Sequence, residues 1–84
     1  MILFQKIINQ KLNNISVEEL MQYAKQFNVT IDRAQAIQVV KAMQGQNINI
    51  FNMNERKQLL AKIARITSPE TAQQVNQIFQ KFTN

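Results

Sequence analysis

The stretch Gln44–Ile66, QGQNINIFNMNERKQLLAKIARI, decides how the rest of the chain is read. It opens with Gly45, the single glycine, and continues through Asn47-Ile48-Asn49-Ile50, where polar and apolar residues alternate. Alternation is the signature of a half-buried strand, but so short a strand needs a partner, and no other segment alternates. Residues 46–51 therefore read as an extended connector that tucks Ile48 and Ile50 under neighbouring helices, with Phe51 as a further anchor. Beyond it the apolar spacing changes to Leu59, Leu60, Ile63 and Ile66, the period of an amphipathic helix, predicted over 53–66. Asn52, with Glu55 three residues later, supplies a capping box for its start. This helix carries four of the ten basic residues, Arg56, Lys57, Lys62 and Arg65.

On the C-terminal side, Thr67-Ser68-Pro69-Glu70 combines a hydroxyl cap, a first-turn proline and an acid. It starts a helix over 69–82 with Ala72, Val75, Ile78, Phe79 and Phe82 inward. On the N-terminal side, Gly45 stops a helix over 33–44 whose inward stripe is Ala36, Ile37, Val40 and Met43. Asp32 caps it, with Gln35 three residues on and an Ile31/Ala36 staple; Thr30 is the competing cap. Val29-Thr30-Ile31 is an extended link, and Asn28 is a left-handed terminator for the helix over 17–27. That helix has the clearest start in the chain, the capping box Ser16-Val17-Glu18-Glu19 with an Ile15/Leu20 staple. Its buried face is Val17, Leu20, Met21, Ala24 and Phe27. A first helix over 2–12 places Leu3, Phe4, Ile7, Ile8 and Leu12 on one wide stripe, with Lys6 and Lys11 off it. Asn13 and Asn14 end that helix.

The predicted fold is all-α: a compact single domain over residues 1–84 with five short helices and one extended connector. The last four helices form the body. The first lies across it or against a partner, because a stripe this wide serves a dimer surface as well as a core.

A length of 84 residues makes one domain, and 45% hydrophobic residues suit a globular chain rather than a disordered one. The thirteen Gln and ten Asn are interleaved with apolar residues at helical spacing and read as uncharged helix surface rather than low-complexity sequence. No cysteine is present, which excludes disulfides and thiolate metal sites. The apolar run Met1–Phe4 is too short for a signal peptide, and no segment approaches a membrane span. A cytoplasmic location is expected.

All five acids, Glu18, Glu19, Asp32, Glu55 and Glu70, fall at helix caps or first turns, where the free amides and the helix dipole favour them. None has a Lys or Arg three or four residues away, so the bases lack helical ion-pair partners. Histidine is absent; the adjacent Glu18 and Glu19 point about 100° apart on a helix, and neither Ser16 nor Ser68 has an evident base. No metal-ligand spacing or glycine-rich phosphate loop occurs. The expectation is a protein that is not an enzyme, with no cofactor, metal or small-molecule substrate.

A net charge of +5 suits an anionic partner. On the 53–66 helix, Lys57, Lys62 and Arg65 are read as an outward face opposite Leu60 and Ile63. Lys57 and Arg65 would lie ~12 Å apart along the axis, a span that fits separate phosphates. Arg33 and Lys41 are further candidates for the same anion or nucleic-acid surface. Arg56 falls beside the apolar stripe and is expected to lay its stem over the core edge or cap a neighbouring helix. The phenylalanines read as core rather than as stacking platforms, and only Tyr23 lies off its stripe.

Taken together, SVEELMQYAKQF, a second helix ending in MQG, NINIF and ERKQLLAKIARITSPETAQQVNQIF resemble a family of short proteins of unknown function from bacilli and related Gram-positive bacteria. The resemblance implies a small helical domain and no assigned activity. Residues 16–44 also look like the helix, extended loop, helix modules of SAP-type nucleic-acid-binding domains, on Leu20, Val29–Ile31 and the Ile37/Val40 face. Asn28 replaces the expected glycine, and Asp32-Arg33 the Gly-Lys that opens the second helix, so the likeness bears on shape. Two functional readings result. The first is a non-catalytic interaction module that binds a protein partner or itself through an apolar helix face. The alternative is a nucleic-acid-binding accessory protein using Lys57, Lys62 and Arg65, with Arg33 and Lys41.

Overall fold

Four of the helices begin at a side chain that accepts an amide of the first turn. Ser16 Oγ accepts from Glu19 N at 3.1 Å, Asp32 Oδ1 from Gln35 N at 2.8 Å, Asn52 Oδ1 from Glu55 N at 3.1 Å, and Ser68 Oγ from Thr71 N at 3.1 Å. The computed structural model describes residues 2–83. Met1 and Asn84 lie outside it, as does the side chain of Leu3, which spacing puts on the first helix's stripe. The elements are α1 (Ile2–Asn13), α2 (Val17–Gln26), α3 (Arg33–Met43), α4 (Met53–Ile66) and α5 (Pro69–Thr83). No strand occurs among the described residues, and the protein is an all-α single domain.

Two caps close as reciprocal boxes. Ser16 N donates to Glu19 Oε1 and Asp32 N to Gln35 Oε1, each at 3.1 Å, so Asp32 rather than Thr30 starts α3. The α4 cap differs from the expected box. Asn52 N already donates to Asn49 O at 3.1 Å, so Glu55 reaches back further and accepts from Asn49 N at 3.1 Å. Asn49 also folds its side chain onto Phe51 N at 3.0 Å, and Asn47 has φ 51°, so the connector is not extended throughout: it bends at Asn47 and turns again at 50–51.

The helix ends differ as well. After α2, Asn28 has φ 58° and Val29 N donates to Ala24 O at 2.8 Å, the six-to-one bond of a Schellman stop. After α3, Gln44 (φ −60°, ψ 129°) and Gly45 (φ 74°) instead form a type II turn closed by Gln46 N donating to Met43 O at 3.2 Å.

α4 packs along α5, α3 along α4, and α2 along α3. Their inner faces and the connector form one core of Ile15, Val39, Val40, Met43, Ile48, Ile50, Leu59, Ile63, Ala72 and Phe79. Ile50 and Leu59 are its most enclosed large side chains, each 1% exposed. The inward stripe of α3 differs from the expected one: Val39 is buried and Ile37 is 37% exposed. Ala36, Val39, Val40 and Met43 follow the i, i+3, i+4, i+7 rule, and Ile37 falls about 110° from their centre. On α4 the buried pair is Leu59 and Ile63, with Leu60 half-buried.

α1 does not lie closely alongside another helix and is held by an amide clasp. Asn13 Nδ2 donates to Ile48 O and Asn13 Oδ1 accepts from Ile48 N, both at 2.8 Å. One turn earlier, Asn9 Oδ1 accepts from Ile50 N at 3.1 Å and Asn9 Nδ2 donates to Asn49 Oδ1 at 2.8 Å. Two asparagines spaced i, i+4 thus satisfy the connector backbone as a neighbouring strand would.

Candidate functional site

The clasp leaves much of the α1 stripe unused. Ile8 and Leu12 pack against the core, while Phe4 is 50% and Ile7 56% exposed. Tyr23 on α2 and Phe82 on α5 are likewise exposed. A groove of about 380 Å³ opens among α1, α2 and α5. Its walls include Ile7, Leu12, Tyr23, Phe27, Ile78 and Phe82, and its floor is core, with Met43 and Ile50. Of the lining residues only Lys11 is charged.

The groove is preformed because its walls are tied down independently. The clasp holds α1, and Lys11 of α1 pairs with Glu19 of α2. The link before α3 is tied to α5: Thr71 Oγ1, buried, donates to Thr30 O at 2.6 Å, and Thr30 N donates to Gln74 Oε1 at 2.8 Å. At the α5 end, Arg56 Nη1 donates to Thr83 Oγ1 at 2.9 Å, so this arginine braces a neighbouring helix.

The acids do more than cap. Arg33 forks onto both oxygens of Glu18, and the guanidinium beside it holds the Glu18 carboxyl below its ordinary range. Glu19 is lowered by Lys11 and by the Ser16 amide, and Lys11 and Arg33 are raised by the same pairs. These partners lie eight and fifteen residues apart in sequence, beyond the reach of helical i, i+4 spacing.

The basic candidates are dispersed. Lys57 and Arg65 are exposed on the outer side of α4, at about 160° and 120° from Leu59. Lys62 falls at only about 60° and is half-buried beside a polar hollow shared with Gln46, Glu55 and Gln58. Lys41 is exposed on α3, and Arg33 is engaged by Glu18. Among the described residues no three metal-ligating side chains converge, and no helix is long and apolar enough to cross a membrane.

Residues 1–83 match the family described as "Protein of unknown function (DUF2624)". The chain belongs to that family. It is also similar to "Uncharacterized protein YqfT" of Bacillus subtilis (strain 168), 48% identical over 84 residues that make up 100% of each chain. No solved structure matches. In this DUF2624 member, sequence reasoning assigned Phe82 to the core and gave Tyr23 little weight. The signal that bore on the groove was the excess width of the α1 stripe over what a short helix can bury.

Proposed function

We propose that this DUF2624 protein is a small, non-catalytic, cytoplasmic interaction module whose working surface is the groove among α1, α2 and α5. The observation that carries this reading is the groove itself: about 380 Å³, apolar, held open by hydrogen bonds on every wall, with Ile7, Tyr23 and Phe82 exposed at its edge. Preformed apolar concavities are where binding energy is most readily gained, and contiguous exposed apolar side chains mark interaction surfaces. The test is site-specific photo-cross-linking in cells from positions 7 and 82, with position 57 as control. The partner captured is then purified and titrated against the wild-type chain. Ile7→Glu/Phe82→Glu should weaken its binding at least roughly tenfold, and Lys57→Glu/Arg65→Glu should not. Equal binding by the groove variant overturns the reading.

A second reading is favoured by one observation: Lys57 and Arg65 have no ion-pair partner among the described residues, whereas Arg33 and Lys11 do. The outer face of α4, with Lys62 on its flank and Lys41 on the adjoining helix, would then contact nucleic-acid phosphates. Binding to a labelled oligonucleotide should fall steeply with salt and be lost in Lys57→Glu/Arg65→Glu. No binding at low salt ends this reading.

A further inference from the structure

α1 is attached to the rest of the molecule differently from the other helices. Each of α2, α3, α4 and α5 contributes at least one buried residue, whereas none of side chains 4–13 of α1 is buried. Its apolar hold is the half-buried pair Ile8 and Leu12 against the core. The rest is polar: four hydrogen bonds from Asn9 and Asn13 to the connector, and the exposed Lys11–Glu19 pair. Immediately beyond α1, Ile15 is 6% exposed and belongs to the core. Between helix and core lies Asn14, exposed, whose side chain bonds back to Gln10 O. A hinge at Asn14 would free α1 and leave Ile15 and the packing of α2 through α5 in place.

Release of α1 has two structural consequences. Ile48 N and Ile50 N have Asn13 Oδ1 and Asn9 Oδ1 as their acceptors, so both connector amides lose their partners together although they lie on a different segment. α1 is also a wall of the groove, with Ile7, Ile8 and Leu12 in its lining and Met43 and Ile50 on the floor, so its departure uncovers that floor. Proteins open in contiguous units whose free energies range from near zero to that of global unfolding. A helix with no buried side chain, joined to a core that is complete without it, is suited to be such a unit.

We infer that α1 is a releasable strap, a hinged wall of the groove: it opens as a unit about Asn14 while α2 to α5 stay folded, and the connector amides are freed with it. The test is hydrogen exchange of the isotopically labelled full chain at several urea concentrations below the unfolding transition. The amides of Ile48 and Ile50 should have protection factors within roughly threefold of each other and at least roughly tenfold below those of Leu59, Ile63 and Phe79, with a shallower dependence on urea. Leu12→Ala, which leaves both acceptors in place, should speed exchange at Ile48 and Ile50 by the same factor, at least roughly threefold. Protection equal to that of the core amides, with the same urea dependence, overturns the inference, because α1 then leaves only when the whole chain unfolds. Lower protection that Leu12→Ala does not change also overturns it, because the connector then fluctuates without α1. Protection that differs widely between the two amides overturns opening as a unit.

Discussion

Gly45, Asn28 and Asn47 all have positive φ, yet their substitutions differ in cost. Gly45 is the third residue of a type II turn that must leave α3 at that point, and a Cβ added there meets nothing within 4 Å. The cost of a side chain is therefore conformational: Gly45→Ala should destabilise by about 1–2 kcal/mol, while Asn47→Gly should stay within about 0.5 kcal/mol, both read from urea unfolding midpoints. Glu18 and Glu19 titrate below their ordinary 4.5 because their charged forms are held by Arg33 and by Lys11 with the Ser16 amide. Their contribution is complete above the ordinary carboxylate value and is lost as pH falls through the lowered folded-state values. Glu18→Gln removes one of these contributions. Its urea midpoint should lie below wild type at about pH 6, and the two should converge toward about pH 3. Because the pair is exposed, added salt should shrink the gap.

At the scale of elements, α1 shows why residue type and neighbourhood must be read together. Asn13 and Asn14 are adjacent and both read in sequence as helix stops. Asn14 Nδ2 donates back to Gln10 O at 2.8 Å within its own exposed turn. Asn13 instead holds both backbone groups of Ile48, which is 9% exposed. Asn13→Ala should cost about 1–3 kcal/mol by stranding those groups, and Asn14→Ala less than about 0.5 kcal/mol. Hydrogen exchange at the Ile48 and Ile50 amides checks the mechanism: Asn13→Ala should expose the first, Asn9→Ala the second. The local rules worked well for α2 and α3, where caps and stop lie within a few residues of each other. They failed for the α4 box because the competing bond, Asn52 N to Asn49 O, belongs to a turn that alternation alone read as extended chain.

Across the whole molecule, a Cα radius of gyration of 11.7 Å is close to the ~12 Å expected of a compact chain this long, so the core is assembled although the α1 stripe remains partly bare. Stability and the proposed docking surface thereby fall on different apolar residues. Leu59→Ala should cost about 2–5 kcal/mol, a large share of the roughly 4–13 kcal/mol available to such a chain. Ile7→Gln and Phe82→Gln should each change stability by less than about 0.5 kcal/mol. Thermal and chemical denaturation of the three variants checks this. A large loss from Ile7→Gln would mean that the α1 stripe belongs to the core after all.

By itself the sequence determined the helices, the caps Ser16 and Asn52 and the tucked connector, because those depend on contacts a few residues apart, as Ser16 with Glu19; the structure chose Asp32 over Thr30, and Ser68 as the hydroxyl that caps α5. The sequence also placed Ile48 and Ile50 inside, since alternating apolar residues have nowhere else to go. Only the tertiary structure decided that Asn9 and Asn13 clasp the connector and that Arg33 is engaged by Glu18. It alone decided that Ile7, Tyr23 and Phe82 stand around a groove. Each of these joins side chains many residues apart, and periodicity carries no information about which apolar stripes find a cover. The chain has more apolar helix surface than its own helices can hide, and that surplus is where a partner is expected.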